Sequence, residues 1–222
     1  MYIPVYLRYS VRYLISTSSL LLVLGVFTPA IAANAIFFNE IHYDNVGADV
    51  NEGVEIAGPS GLDLSGWQLL FYNGNGGNLY GSVALSGIIP ELSNGFGLLS
   101  FETPGVQNGP DGFALVNNLD EVIQFLSYEG DFTATEGAAN GLASQQIGSA
   151  EETSSAVTDS LQLVGNGRYY EDFQWQSPQT HSFSAINSGQ TITPSAVPLP
   201  AALPLFLSGI AGFGLLARSR RI

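Results

Sequence analysis

Polar side chains that could carry out chemistry are concentrated in one short stretch of the chain. They are Asn39, Glu40, His42, Asp44, Asn45, Asp49, Glu52 and Glu55. If the stretch begins as a β-strand, Glu40, His42 and Asp44 share one face, because side chains alternate along a strand with a period of two. Glu55 approaches that face if the next strand pairs with the first. The spacing therefore predicts a group of carboxylates on neighbouring strands.

Two kinds of chemistry and one inert arrangement fit this group. Calcium prefers carboxylate and amide oxygens, so Glu40, Asp44, Asp49 and Glu55 are candidate calcium ligands, although "DNVGADVNE" lacks the spacing of an EF-hand loop. Alternatively, Glu40 and Glu55 are the catalytic pair of a glycoside hydrolase, in which one carboxyl group is the acid and the other is the base or the nucleophile. Nothing in the sequence sets the distance between them. The third interpretation, which the sequence favours, is a solvated strand face followed by a polar loop.

Other catalytic constellations fit poorly. The chain has no cysteine, which excludes thiolate catalysis and cysteine-based zinc sites. Its two histidines, His42 and His181, are not part of an HExxH motif. Four aromatic residues near the end of the acidic region are a candidate platform for a sugar, although such residues more often fill the core of a β-sandwich and its cross-strand pairs. They are Tyr169, Tyr170, Phe173 and Trp175.

The charge distribution limits the partners of the middle region. All 19 acidic residues lie between Glu40 and Asp172, where Arg168 is the one basic residue apart from the histidines. Binding to nucleic acid requires lysines and arginines that replace phosphate counterions, and docking on anionic lipid requires them too. The charge excludes both classes of partner and favours cations or neutral molecules such as polysaccharides.

The N-terminal segment has the pattern of a secretory signal peptide, residues 1–35. Arg8 and Arg12 precede an apolar run over residues 13–27, and "TPAIAANA" follows with small residues at alternating positions. Cleavage after Ala32, Ala33 or Ala35 fits equally well. An uncleaved membrane anchor is the alternative.

The C-terminal segment has the pattern of a transmembrane helix. Residues 201–217 carry no charge and would span about 25 Å as a helix, slightly less than the bilayer core of about 30 Å. They follow a Thr/Pro/Ser-containing linker, residues 190–196. Arg218, Arg220 and Arg221 come directly after the apolar run, and the positive-inside rule predicts that they stay in the cytoplasm. A buried core helix fits less well, because the run is apolar all round and lies at the chain end.

The last 26 residues also resemble a known sorting signal. "VPLPA", then an apolar segment, then "RSRR" is similar to the VPLPA variant of the bacterial PEP-CTERM signal. The resemblance implies recognition by a membrane-embedded exosortase-type enzyme, removal of the tail, and delivery to the cell surface or biofilm matrix of a polysaccharide-secreting Gram-negative bacterium. The protein would be anchored in the inner membrane before processing. The motif residues are Val197, Pro198, Leu199, Pro200 and Ala201.

Between these segments the sequence predicts an all-β domain. Short β-prone stretches alternate with turn residues, which is typical of a β-sandwich. The clearest hairpin joins "GFALVN" to "VIQFLSYEG", and a final hairpin is predicted around Gly165, Asn166 and Gly167. Residues 131–159 are predicted to form a long loop.

The opening of this domain resembles bacterial lamin-tail domains. "FFNEIHYDNVGADVNEGVEIAGPSGLDLSGWQLLFYNGNGG" contains the NEI, VEI and DLSGW blocks of that family in the proper order. The resemblance covers most of residues 36–189 and implies an immunoglobulin-like β-sandwich with a non-catalytic binding or structural role. Independently, Asp63 and Ser65 suit a turn, Gly66 permits a tight backbone, and Trp67 is a candidate core anchor.

These observations predict an exported, non-enzymatic surface or extracellular-matrix module that needs no cofactor, unless calcium binds. The alternative is a secreted carbohydrate-binding protein or a glycoside hydrolase that uses Glu40 and Glu55.

Overall fold

The structure of the protein is a computed structural model, which describes residues 35–195. The predicted signal peptide, apart from Ala35, and the predicted sorting signal of residues 197–222 lie outside the described residues. Across residues 35–195, the structure contains no helix of the length and apolar character needed to cross a membrane.

The described chain is all-β, as predicted, with two sheets whose arrangement is consistent with a β-sandwich. One short 3-10 helix, Tyr170–Asp172, interrupts the strands. The strands are β1 (Phe37–His42), β2 (Gly53–Pro59), β3 (Gln68–Asn73), β4 (Leu79–Ala84), β5 (Phe96–Glu102), β6 (Asp111–Val116), β7 (Val122–Tyr128), β8 (Gln145–Gln146), β9 (Asp159–Gly167), β10 (Phe173–Thr180) and β11 (Gln190–Ile192).

Each sheet has a simple strand order. The first sheet runs β10-β9-β1-β2-β5, and β11 adds to β9 in parallel. The second runs β4-β3-β6-β7-β8, in which only the β7–β8 pair is parallel. Residues 190–192, assigned above to a linker, therefore belong to the domain as β11. Pairing with β9 satisfies backbone groups that a free linker would leave to water.

A β-bulge in β1 decides which of its side chains face the other sheet. The pairing of β1 with β2 shifts between Phe38 and Glu40, which leaves Asn39 as the extra residue. Phe38, Ile41 and Tyr43 consequently all enter the core between the sheets. Strict alternation would instead place Ile41 on the opposite face of the strand from Phe38. The bulge thereby turns Glu40 away from this core.

The main core joins the two sheets through aromatic contacts. Phe38 on β1 lies 6.0 Å from Phe113 on β6, measured between ring centroids. Tyr43, just after β1, stacks on Tyr128 at the end of β7 with centroids 3.9 Å apart. Trp67, just before β3, is only 6% exposed and belongs to the same core.

The long loop between β7 and β9 covers the outer face of the second sheet. Ala134 and Ala139 in this loop pack on Leu70, Tyr72 and Phe125, which point away from the main core. The segment was predicted as a loop, and it is one apart from β8 and an isolated bridge.

Of the two predicted hairpins, one is placed correctly and the other differs in its turn. β6 and β7 pair antiparallel across residues 117–121, where the Asn117 side chain accepts hydrogen bonds from the N–H groups of Leu119 and Glu121. β9 and β10 also pair as predicted, but the turn lies at residues 168–172. Gly165–Gly167 instead continue β9, because they also pair with β11.

The DLSGW turn has the predicted local chemistry. The Asp63 carboxylate accepts a hydrogen bond from the N–H of Ser65 at 2.8 Å. Gly66 has a positive φ of 83°, a backbone conformation that residues with a Cβ adopt reluctantly. The turn then delivers Trp67 into the core.

Candidate functional site

Strand pairing brings Glu40 and Glu55 together. They are directly opposite each other in the β1–β2 register, and both are 0% exposed. The prediction of a solvated strand face is therefore wrong for these residues. The cause is a distant segment, residues 181–190, which crosses the two strands and is called the strap below.

Glu40 receives hydrogen bonds from two parts of the chain. Its carboxylate accepts from the Ser160 hydroxyl at 2.6 Å on β9. From the strap it accepts from the N–H of Ser182 at 2.8 Å and the Ser182 hydroxyl at 3.1 Å. Burial raises the pKa of Glu40, and these donors offset part of that increase.

Glu55 is held in the same way on the neighbouring strand. It accepts hydrogen bonds from the Asn39 side chain at 3.0 Å, the Ser100 hydroxyl at 2.9 Å and the N–H of Ser184 in the strap. Burial raises the pKa of Glu55 to about 7, and the nearby Glu40 adds to the increase. The side chain therefore releases its proton at a higher pH than an exposed glutamate does.

Amide side chains complete the contact between the strap and the sheet. Asn187 donates to the backbone oxygens of Asn39 and Leu163, each at 3.0 Å. Gln190 donates to the Asn39 side-chain oxygen at 2.6 Å. The extra residue of the bulge is thus a further point, besides Glu40 and Glu55, at which the strap is attached. The arrangement is a closed network, and a sugar would reach either carboxyl group only if the strap left.

A second buried site forms around His42, and its main partner, Glu151, was missed from the sequence. Glu151 accepts hydrogen bonds from the N–H groups of Tyr43 and Asp44, and its other oxygen lies 2.8 Å from His42 Nδ1. His42 Nε2 faces the Val50 carbonyl at 3.1 Å. Since both ring nitrogens face acceptors, the imidazolium form fits this site. Burial lowers the pKa of His42, but Glu151 and the carbonyl outweigh it and raise the pKa overall.

Asp44 and Asp49 are close to this second site rather than to the Glu40–Glu55 pair. Burial raises the pKa of Asp44, and the neighbouring Asp49 and Glu151 add to the increase. One Asp44 oxygen, Oδ1, is buried without a hydrogen-bond partner among residues 35–195. The four candidate calcium ligands therefore form two pairs, and among the described side chains no group of three is placed to hold a metal ion together.

Calcium binding at Asp44 and Asp49 stays a prediction, with backbone oxygens and water as the remaining ligands. Calcium is expected to raise the melting temperature of the protein more than magnesium does at equal ionic strength. A hundredfold excess over the dissociation constant corresponds to about 2.7 kcal/mol of added stability. Thermal melting measures the effect, and the Asp44→Asn, Asp49→Asn double variant should lose the calcium preference. Equal shifts with both ions would leave diffuse charge screening as the cause.

The four aromatic residues proposed for a sugar platform have separate positions. Phe173 is buried and Tyr169 is 38% exposed, whereas Tyr170 and Trp175 are partly exposed. Tyr170, Phe173 and Trp175 line one cavity, and Tyr169 is not among its lining residues. No family model, curated protein or solved structure matches this chain. Inferences about function therefore depend on the residues and contacts of the chain.

Proposed function

We propose that the protein is an exported, non-enzymatic β-sandwich module of a bacterial cell surface or extracellular matrix. Its fold would be of the immunoglobulin-like, lamin-tail type. The C-terminal tail would direct it to an exosortase-type enzyme in the inner membrane, which removes the tail. The observation that carries the proposal is the order of "VPLPA", an apolar run and "RSRR" in residues 197–221, together with the signal-peptide pattern of residues 1–35.

The described domain supports a non-catalytic role. The only carboxylate pair that the sequence offered for glycoside hydrolysis, Glu40 and Glu55, is buried beneath the strap. A glycosidase needs its two carboxyl groups on either side of a bound sugar, and here hydroxyl, amide and backbone donors take up that space. These donors give the pair a structural task, which is to attach the strap to the sheet.

Charge neutralisation in the tail tests the sorting proposal. Replacing Arg218, Arg220 and Arg221 with glutamine is expected to weaken membrane stop-transfer and to reduce delivery to the cell surface, because these positive charges hold the tail on the cytoplasmic side. Cell fractionation and surface labelling measure the result. Neutralising Arg8 and Arg12 is the matched control and should instead retain the protein inside the cell. Normal surface delivery of the triple variant would overturn the proposal.

A carbohydrate-binding role is the second candidate, and one observation favours it. Tyr170 and Trp175 line a cavity together with three glutamine side chains. Aromatic rings and amides are residue types that can contact the faces and the hydroxyl groups of sugars. This role is compatible with a matrix module, since binding a polysaccharide requires no catalysis.

A further inference from the structure

A groove opens between the edge strand β8 of the second sheet and the edge strand β10 of the first sheet. It is lined on one side by β8 and on the other by the 3-10 helix and the start of β10. A cavity of about 410 Å³ adjoins a second one of about 360 Å³, and both are lined by Gln145 and Tyr170. The combined size falls within the range of small-molecule and oligosaccharide sites. This feature is called the amide–aromatic groove below.

Two aromatic side chains of the groove are held in place. Trp175 Nε1 donates a hydrogen bond to the Tyr170 hydroxyl at 3.1 Å, and both residues pack against the domain's apolar clusters while staying partly exposed. A rigid, partly exposed aromatic ring loses little conformational entropy on binding. The pair therefore offers a preformed apolar surface.

Amide side chains surround this surface. Gln145, Gln146 and Gln174 line the same cavity and are exposed. Each amide carries two N–H donors and an accepting oxygen, which matches a hydroxyl group that both donates and accepts. The groove thus combines apolar faces with neutral amide groups and with one acidic side chain, that of Glu171, which lines both cavities.

The charge of the domain selects among ligands. Arg168, the one Lys or Arg between residues 35 and 195, is occupied elsewhere: its guanidinium donates to the Asn94 carbonyl at 2.9 Å and lies 5.1 Å from the Phe96 ring centre. The lining residues of the groove include no cation and one acidic residue, Glu171. With 19 acidic residues in the region, an anionic ligand would be repelled.

We propose that the amide–aromatic groove binds a neutral polysaccharide. Trp175 and Tyr170 contact the apolar faces of sugar rings, and Gln145, Gln146 and Gln174 bind the hydroxyl groups. The proposal rests on the proposed function, since it names the matrix ligand of the exported module. β8 is only two residues long, which makes this side of the groove a poor template for adding a peptide strand.

The test measures binding of neutral oligosaccharides to the full chain, purified in a polyoxyethylene detergent because detergents with sugar headgroups would compete. The probes are hexasaccharides of β-1,4-glucose, β-1,3-glucose and β-1,4-N-acetylglucosamine, with hexagalacturonate as the anionic control. Isothermal titration should show binding of at least one neutral probe. Trp175→Ala should weaken it about tenfold or more, the usual effect of losing an aromatic anchor.

Matched variants separate the groove from its surroundings. Tyr169→Ala removes an exposed ring outside the groove, and Gln176→Ala removes an exposed amide further along β10; both should bind like the parent. The Gln145→Ala, Gln146→Ala double variant changes only exposed side chains, so it should fold normally and bind several-fold more weakly. Thermal melting shows whether Trp175→Ala folds. If that variant does not fold, the double variant still tests the groove.

Three outcomes would overturn the groove proposal. They are no binding of any neutral probe, tighter binding of hexagalacturonate than of the neutral probes, and parent-like affinity of the Gln145→Ala, Gln146→Ala variant. Chromatography of the probes after incubation gives a separate readout. Shortened products would contradict the non-enzymatic proposed function and leave the groove as a binding site. The surface-delivery test of the Arg218, Arg220 and Arg221 variant bears on the sorting proposal alone.

Discussion

Raising the pH from 5 to 8 is expected to lower the free energy of unfolding of the domain by about 2–3 kcal/mol through Glu55 alone. Burial raises the pKa of this side chain from 4.5 to about 7. The folded state therefore holds a proton that the unfolded chain releases at lower pH. This contribution to stability is fully present below pH 4.5 and is lost as the pH rises through 7.

Other buried groups act in the same direction. Burial raises the pKa of Asp111 from 3.8 to about 6, so its contribution is lost between those values. The pKa values of Glu40 and Asp44 are raised as well, chiefly by burial. His42, whose pKa is raised by Glu151 despite burial, also stabilises the folded state below pH 6.5 and ceases to do so as the pH rises through its folded pKa. The domain should be most stable in mildly acidic solution.

Denaturant unfolding of the full chain at pH 5, 6, 7 and 8 measures this dependence, and Glu55→Gln is the matched variant. Glutamine keeps an oxygen for Ser184 and Ser100. Its new NH₂ group finds an acceptor if the Asn39 amide turns over and presents its oxygen. The Gln190 amide then turns over as well, so that its Oε1 accepts from the Asn39 NH₂ group. That oxygen is now buried without a hydrogen-bond partner among the described residues. The variant should lose the share of the pH dependence due to Glu55. A parent protein that gains stability from pH 5 to pH 8 would contradict the prediction.

Trp67→Ala is expected to lower the free energy of unfolding by about 3–5 kcal/mol. Trp67 is 6% exposed and belongs to the core between the sheets, and truncation would leave a cavity that the two sheets cannot fill. Since domains of this size have total stabilities of about 5–15 kcal/mol, the loss is a large share of the total, and the variant should melt at a clearly lower temperature than the parent.

Thermal and denaturant unfolding of the full chain measure the Trp67→Ala effect. Leu119→Ala is the control, because Leu119 is 72% exposed in the β6–β7 turn; it should change stability by less than about 0.5 kcal/mol. Equal melting of Trp67→Ala and the parent would mean that the indole contributes nothing to the core.

Most strands and turns could be predicted because their causes are local. The β6–β7 hairpin follows from two apolar stretches around a polar turn, and the Asp63–Gly66 turn follows from side-chain capping and a glycine at positive φ. The predicted neighbourhood of Glu40 and Glu55 also holds, since consecutive strands commonly pair. In each case the residues that matter are close in the chain.

The environment of the carboxylates was not predictable, because their partners are distant in the chain. Ser182 is 142 residues from Glu40, Ser184 is 129 residues from Glu55, and Glu151 is 109 residues from His42. No periodicity or motif links such residues, and the serine-rich segments that supply them have the composition of ordinary loops. The bulge at Asn39 is likewise invisible in the pattern, since it depends on what β1 packs against.

Composition and local pattern thus account for the all-β class and the acidic character, because hydrophobic alternation, turn chemistry and charge are properties of neighbouring residues. Packing of the strap and of the loop before β9 on the two sheets accounts for the rest. It turns Glu40, Glu55 and His42 from exposed candidates into buried groups with raised pKa values. It also leaves Trp175 and Tyr170 partly exposed at a groove. The physical reason is that desolvation, which raises the pKa of the two glutamates, and the contact with Glu151, which raises that of His42, both depend on what covers a side chain and not on what precedes it in the sequence.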